Sequence, residues 1–309
     1  MDTMATMTTP SSSQQLWQFE TPIIGGIVVG FDGSLASHAA LESAGAIAAA
    51  RKWPVHVVSV LRPMSSYKLD LGVDQPRSQI EDLRIQLRDA ALRDAIGPLS
   101  ERSGWTRQIV VGRPAEEIAK AAEARAADLV LVGRTDRGVI DRMLGGETTL
   151  HLIRGCSVPV LVVGNEMDKP RTIVVAVDFG PASTRAAAAA VEMLGESGTV
   201  YLVYVEQPFE VLPDGSVAPE AEHYPGDLVM RFRQLTSELR APSGVVVESV
   251  ILNGSPVPAL LEFCERVGAD LLAAGTHGLK GVQRFLLGSV STALVRNIRK
   301  PILVVPSKG

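Results

Sequence analysis

Leu271–Thr292 reads LLAAGTHGLKGVQRFLLGSVST. An apolar run of strand length closes on Gly275, a second glycine follows at Gly278, and Gly288 and Ser289 then stand before Val290–Arg299, a stretch with helical character. Glycines at the carboxyl end of a strand let backbone N–H groups approach an anion closely, and the first N–H groups and positive dipole end of a following helix point the same way. Ser289 is expected to cap that helix, with Ser291 offering a second hydroxyl. The spacing G-x-x-G-x9-G-S is neither the Gly-Lys-Ser/Thr of a Walker loop nor the G-x-G-x-x-G of a dinucleotide fingerprint, and neither of those strings occurs in the chain. By themselves the glycines could equally mark turns.

Working outward from this stretch exposes a repeat. Gly254-Ser-Pro256 answers Gly112-Arg-Pro114, Asp270 answers Asp128, Gly275 answers Gly133, and Pro301 answers Pro159, each at the same separation of 142 residues (275 − 133). One offset held over four landmarks marks a tandem duplication. Each copy opens on an apolar strand that ends in an acid, IIGGIVVGFDGS with Asp32 and TIVVAVDFGPAS with Asp178, and continues into an Ala-rich helix. In the first copy Ser34 is the expected cap; in the second Ser183 or Thr184 is expected to begin the helix. Strands apolar on both faces then alternate with helices, which requires a parallel sheet covered on both sides. The expected strands of the first copy run at Val55–Leu61, Trp105–Val111, Asp128–Gly133 and Val158–Val163, with helices at Leu35–Lys52, Ile80–Leu99, Pro114–Ala126 and around Thr148–Arg154. The second copy repeats them with strands at Tyr201–Glu206 and Val245–Leu252 and a helix at Leu228–Leu239. The division is a flexible tail over 1–20, a first domain over 21–165, a linker over 166–170 and a second domain over 171–309.

A chain of 309 residues with 46% hydrophobic and 21% charged residues is ordinary material for about two globular domains. A formal charge of −4 gives no basic footprint, so a nucleic-acid role is not expected. Cys156 and Cys264 form no C-x-x-C and no disulfide framework, which fits a reducing compartment. MDTMATMTTPSSSQQ has no basic region followed by an apolar one, and no apolar run reaches the eighteen or so residues of a spanning helix. A cytoplasmic protein without a membrane role is the expectation.

The opening strand with its acid, the G-x-P, the A-D-L strand before the glycine loop, the G-x-x-G-x9-G-S string and the closing PVLVV or PILVV strand together resemble the universal stress protein family in its ATP-binding branch. The resemblance covers both halves, from about Ile23 to Pro306. It implies a doubly wound fold in each half, a five-stranded parallel sheet of order 3-2-1-4-5 with helices on both faces. It implies ATP as ligand, with Asp178 and the neighbouring backbone of Ala176 and Val177 at the adenosine end. Gly275, His277, Gly278, Gly288, Ser289, Val290 and Ser291 fall to the phosphates, and any Mg2+ would ride on those phosphates. Family members dimerise, and a tandem chain can make that dimer internally through the last strands of its halves, which leaves a homodimer of chains open. The function implied is a nucleotide-responsive regulator of stress or growth adaptation acting on a signalling partner that the sequence does not name. The alternative is a slow ATPase or adenylyl-transferring enzyme on a related sheet.

The first half departs from the motif. Asp32, Gly133 and Gly146 are kept, but Asp136 stands in place of Gly278 and Glu147 in place of Ser289. Two carboxylates facing an anion, at roughly 4 kcal/mol per close charge pair, make this copy degenerate and at most a weaker nucleoside site. Arg134, Arg137 and Arg142 are placed to pair with those acids or to take a different anion. No G-x-S-x-G elbow or H-E-x-x-H string is present, and no catalytic or metal-binding residue is assigned. The two long loops, Arg62–Gln79 and Gln207–Asp227, follow strand 2 of each copy and are expected as lids or partner surfaces.

Overall fold

The computed structural model describes residues 17–18, 26–63, 77–99, 104–134, 145–207, 225–276 and 287–306. In chain order these form β1 (Trp17–Gln18), β2 (Ile27–Gly30), α1 (Leu35–Arg51), β3 (Val55–Leu61), α2 (Arg77–Ile96), β4 (Trp105–Val111), α3 (Pro114–Ala124), β5 (Leu129–Gly133), α4 (Gly145–Gly155) and β6 (Val160–Val163). The second copy supplies β7 (Thr172–Ala176), α5 (Pro181–Leu194), β8 (Ser197–Glu206), α6 (Pro225–Glu238), β9 (Gly244–Asn253), α7 (Pro256–Arg266), β10 (Leu271–Gly275), α8 (Ser289–Asn297) and β11 (Ile302–Val305).

The strands lie in one sheet of eleven, ordered β1-β4-β3-β2-β5-β6-β11-β10-β7-β8-β9. Each half is therefore the 3-2-1-4-5 arrangement, parallel throughout, with the strand order reversing between β2 and β5 and between β7 and β10. Such a reversal opens a crevice beyond the carboxyl ends of the strands, where α/β sheets place their ligands. The halves meet edge to edge through β6 and β11, antiparallel, with Leu161 opposite Leu303. Those two leucines are themselves equivalent at the 142-residue offset (303 − 161), so a local dyad passes between them. One core lies on each face of the sheet, and both run unbroken through the junction: Leu161 and Leu303 belong to one, Val160, Val162, Ile302 and Val304 to the other.

The aspartates of the repeat prove to be struts at the amino ends of the strands. Asp128 Oδ2 accepts from the N–H of Gly26 at 2.9 Å, and Asp270 Oδ2 accepts from the N–H groups of Arg171 and Thr172 at 2.8 and 3.0 Å. In both copies strand 4 is thereby locked to strand 1. At the outer edge of the first half Trp17–Gln18 pair antiparallel with Ile109 and Gln108, so the segment read as a tail contains one paired piece. The linker is also tied down, because Met167 N–H donates to Ser43 Oγ on α1 at 2.9 Å. α2 and α6 begin at Arg77 and Pro225, each three residues ahead of the start expected from apolar periodicity, since polar first turns carry no such signal.

Candidate functional site

The carboxyl ends of β7 and β10 bring the second-half residues together. The register sets Ala274 beside Ala176, so Gly275 and Thr276 continue alongside Val177 and Asp178. Ala176 is half-buried, Val177 is buried against β8 with its N–H donating to Val203 carbonyl at 2.8 Å, and Asp178 is half-buried at the mouth. Asp178 Oδ1 accepts from the N–H of Gly180 at 2.9 Å and from Ser183 Oγ at 2.6 Å, closing a turn onto the first residues of α5. The helix expected to begin at Ser183 or Thr184 begins earlier: Gly180 is the N-cap and Pro181 opens the helix, because proline suits the first helical position with its fixed φ and missing donor. Ser183 instead holds Asp178.

Gly275 is required by packing. A Cβ there would lie 2.6 Å from Ala182 Cβ and 2.7 Å from the Ala182 carbonyl carbon, since α5 starts directly over the end of β10. Gly133 answers with the same constraint, its virtual Cβ lying 2.3 Å from the Ala36 carbonyl carbon and oxygen at the start of α1. Both glycines let the crossover helix close on strand 4, whether or not a ligand approaches.

At the far wall of the crevice, Gly288 N–H donates to Thr276 carbonyl at 2.7 Å and Thr276 N–H to Val305 carbonyl at 2.9 Å. The reading of Ser289 as a cap is corrected: Gly288 is the N-cap of α8, with no side-chain cap bond, and Ser289 is the first helical residue, exposed. Thr292 N–H is bonded back to Gly288 carbonyl, and the N–H groups of Ser289, Val290 and Ser291 in the first turn have no acceptor among the described residues. Val290 is half-buried, and the buried Ser291 hydroxyl is turned inward onto the carbonyl of Gly275 at 2.5 Å. Ser291 therefore fixes the helix to the strand and does not present a hydroxyl to the crevice. His277 and Gly278, like Asp136, Arg137 and Arg142, lie outside the described residues, as do most of both long loops.

A feature without any sequence signal stands next to Asp178. Phe179 adopts a left-handed conformation, φ 60°, where the first copy has Gly33 at φ 83°. For a bulky residue this costs on the order of 1–3 kcal/mol and needs the surroundings to hold it. Its ring packs on Tyr204 at 5.6 Å and edge-on to Phe232 at 5.0 Å, with Arg231 over it at 5.8 Å. Burial pushes the Tyr204 phenol above its ordinary pKa; Glu206 and Asp178 push the same way and Arg231 opposes them.

In the first half, Asp32 is exposed and its Oδ1 accepts from Ser34 N–H at 2.9 Å, while Ser34 caps α1 as expected, accepting from Ser37 N–H at 3.2 Å. Gly146 is the second residue of α4, so that helix begins two residues ahead of its counterpart and the third glycine is no cap. Arg134, which takes the position of Thr276, donates through its guanidinium to the carbonyls of Ile298 and Arg299 across the junction. These are carbonyls at the end of α8, where the helix dipole favours a cation; the expected pairing of Arg134 with Asp136 falls outside the described residues.

A depression of about 870 Å³ opens at the opposite ends of the strands, lined by Asp168, Lys169, Arg171 and Asp270 among others. It borders the linker, away from either strand-order reversal, and Asp270 is committed there to the backbone of β7. No group of three or more His, Cys, Asp or Glu side chains fit to hold a metal occurs among the described residues. No helix among them is long and apolar enough to cross a membrane.

The fold and these crevices define a doubly wound α/β protein of the kind that holds small ligands at the strand ends. The universal stress protein family model matches residues 25–164 and again 169–306, and the chain belongs to that family. A universal stress protein of Mycobacterium tuberculosis is 29% identical over 294 residues, covering 90% of this chain and 96% of the relative. One from Mycolicibacterium smegmatis is 27% identical over 295 residues, covering 91% and 96%. The crystal structure of a universal stress protein from Archaeoglobus fulgidus superposes with a TM-score of 0.64 at 21% identity, covering 91% of this chain and 96% of that one, a likeness of fold.

Proposed function

We propose that the second half binds one ATP and that its occupancy makes the chain a nucleotide-responsive regulator of stress or growth adaptation. The observation that carries this reading is the convergence of the Asp178 turn, the Gly275 strand end and the first-turn N–H groups of α8 on one crevice at the β7/β10 reversal. Adenosine takes the side of Ala176, Val177 and Asp178. The triphosphate takes the backbone of the G-x-x-G loop with His277 and Gly278, then Gly288, Ser289 and Val290, where aligned N–H groups and the helix dipole favour an anion. Mg2+ belongs to the phosphates. Family membership supports the fold side of the reading, and the intact string in the second half alone supports the nucleotide side.

The described residues of this crevice supply donors for a ground-state triphosphate, and among them no base or cation is aimed at the transferring group. Binding that is equal in ground and transition states does not raise kcat. Hydrolysis is accordingly slow, below about one turnover per minute against the order of 10 per second typical of enzymes. Equilibrium dialysis of the full chain with ATP tests the reading: saturable binding is expected, weakened about tenfold or more in Asp178→Ala. Equal binding by that variant and the wild type, or none by either, would remove it.

A further inference from the structure

The two halves differ most in what the helix after strand 2 brings to the crevice. The buried residues of α2 correspond at a spacing of 143 (235 − 92) to those of α6 and the residue that follows it: Asp89 with Phe232, Leu92 with Leu235 and Ile96 with Leu239. On that register Arg88 answers Arg231 and Arg84 answers Asp227. The ring cluster of the second half, Phe179, Tyr204 and Phe232, is replaced position by position with Gly33, Ser59 and Asp89. Ser59 turns away and donates to Phe31 carbonyl at 2.8 Å, and Asp89 is buried and taken up by Arg93 and Arg107. Into the space by Gly33 comes Arg88, whose Nη1 lies 3.3 Å from where a Cβ on that glycine would be.

One turn earlier, Arg84 donates from Nη2 to the carbonyl of Arg62, at the exit of β3, at 3.1 Å, while its Nη1 is buried without a hydrogen-bond partner among the described residues. Among those residues neither Arg84 nor Arg88 forms an ion pair, although Arg93 and Arg107 beside them do. Two guanidinium groups four residues apart share a helix face and repel, and a buried donor left unpaired is costly. An anion held by both offsets their repulsion, and planar guanidinium forks match the oxygens of a phosphoryl group.

We propose that Arg84 and Arg88 form an anion site at the mouth of the first-half crevice, which takes the phosphoryl group of a small phosphate-bearing molecule. Asp32, exposed at the same strand exit, and Glu81, one turn before Arg84, restrict it to a single phosphoryl group and disfavour a polyphosphate. The half that lost its triphosphate motif thus keeps a ligand crevice of different charge. This inference stands apart from the nucleotide reading of the second half.

The full chain is titrated with inorganic phosphate at constant ionic strength, with and without saturating ATP, by calorimetry. One phosphate should bind in either case, and Arg84→Ala with Arg88→Ala should weaken it at least about tenfold. Arg84→Lys with Arg88→Lys, which keeps the charge and loses the forks, should fall between, with a melting curve confirming that the variant is folded. Absence of saturable phosphate binding by the wild type, or equal affinity in the alanine variant, overturns the proposal and leaves these arginines with a structural role.

Discussion

Ser291 Oγ donates a 2.5 Å hydrogen bond to the carbonyl of Gly275, so the first turn of α8 is pinned to the last residue of β10 across the intervening glycine loop. Ser289, two residues earlier, is exposed and makes no cap bond. The two serines should separate in experiment. Ser291→Ala strands a buried carbonyl and should lower stability by about 1–3 kcal/mol in denaturant titration. Ser289→Ala should leave stability within about 0.5 kcal/mol and weaken ATP. Equal stability loss in both variants contradicts these roles.

The strand-4 glycines should behave as packing residues. Gly275→Ala drives a methyl into the Ala182 backbone and Gly133→Ala into that of Ala36, so each should destabilise its half by about 3 kcal/mol. The effect of Gly133→Ala should be as large as that of Gly275→Ala although its half lacks the intact motif. Thermal unfolding of the two variants checks this, and a Gly133→Ala protein as stable as wild type would contradict it.

His56 sets an acid limit on the first half. Burial, with the charge of Arg125 adding to it, lowers its pKa to about 4, against the opposing hydrogen bond to Gln108 Oε1, while Nδ1 lies 2.7 Å from Thr106 Oγ1. Between pH 6.5 and about 4 the unfolded chain binds a proton that the folded chain does not. Stability is therefore whole above pH 6.5 and falls as pH drops through that window, by about 3 kcal/mol from this group. In His56→Gln the slope should shrink between those limits; an unchanged slope in urea titrations across the window would contradict the assignment.

The sheet was legible in the sequence because its evidence is periodic and repeated. Apolar runs ending in Asp32 and Gly133, repeated in the second half with Asp178 and Gly275, leave little freedom beyond a parallel doubly wound order. The site was legible only as a set of residues. Ser291 and Ser289 look alike in a string, and only the fold turns one hydroxyl inward and leaves the other outside. Nor does a string distinguish a glycine that admits a phosphate from one that admits a helix, as Gly275 does for Ala182. Phe179 and the α2 arginines gave no signal, because a positive φ and a charge imbalance between equivalent helix faces arise from contacts far apart in the chain. The carbonyl partners of Arg134 gave no signal for the same reason, lying in the other half.

We propose that the two halves, alike in fold, differ in ligand, with the triphosphate site confined to the second. Isothermal titration of the full chain with ATP and Mg2+ tests it most directly. The stoichiometry should be near one per chain, and Gly278→Asp, which copies the first-half residue, should abolish binding by placing a carboxylate and a side chain where backbone must approach the phosphates. A stoichiometry of two in the wild type, or full binding retained in Gly278→Asp, would contradict the claim.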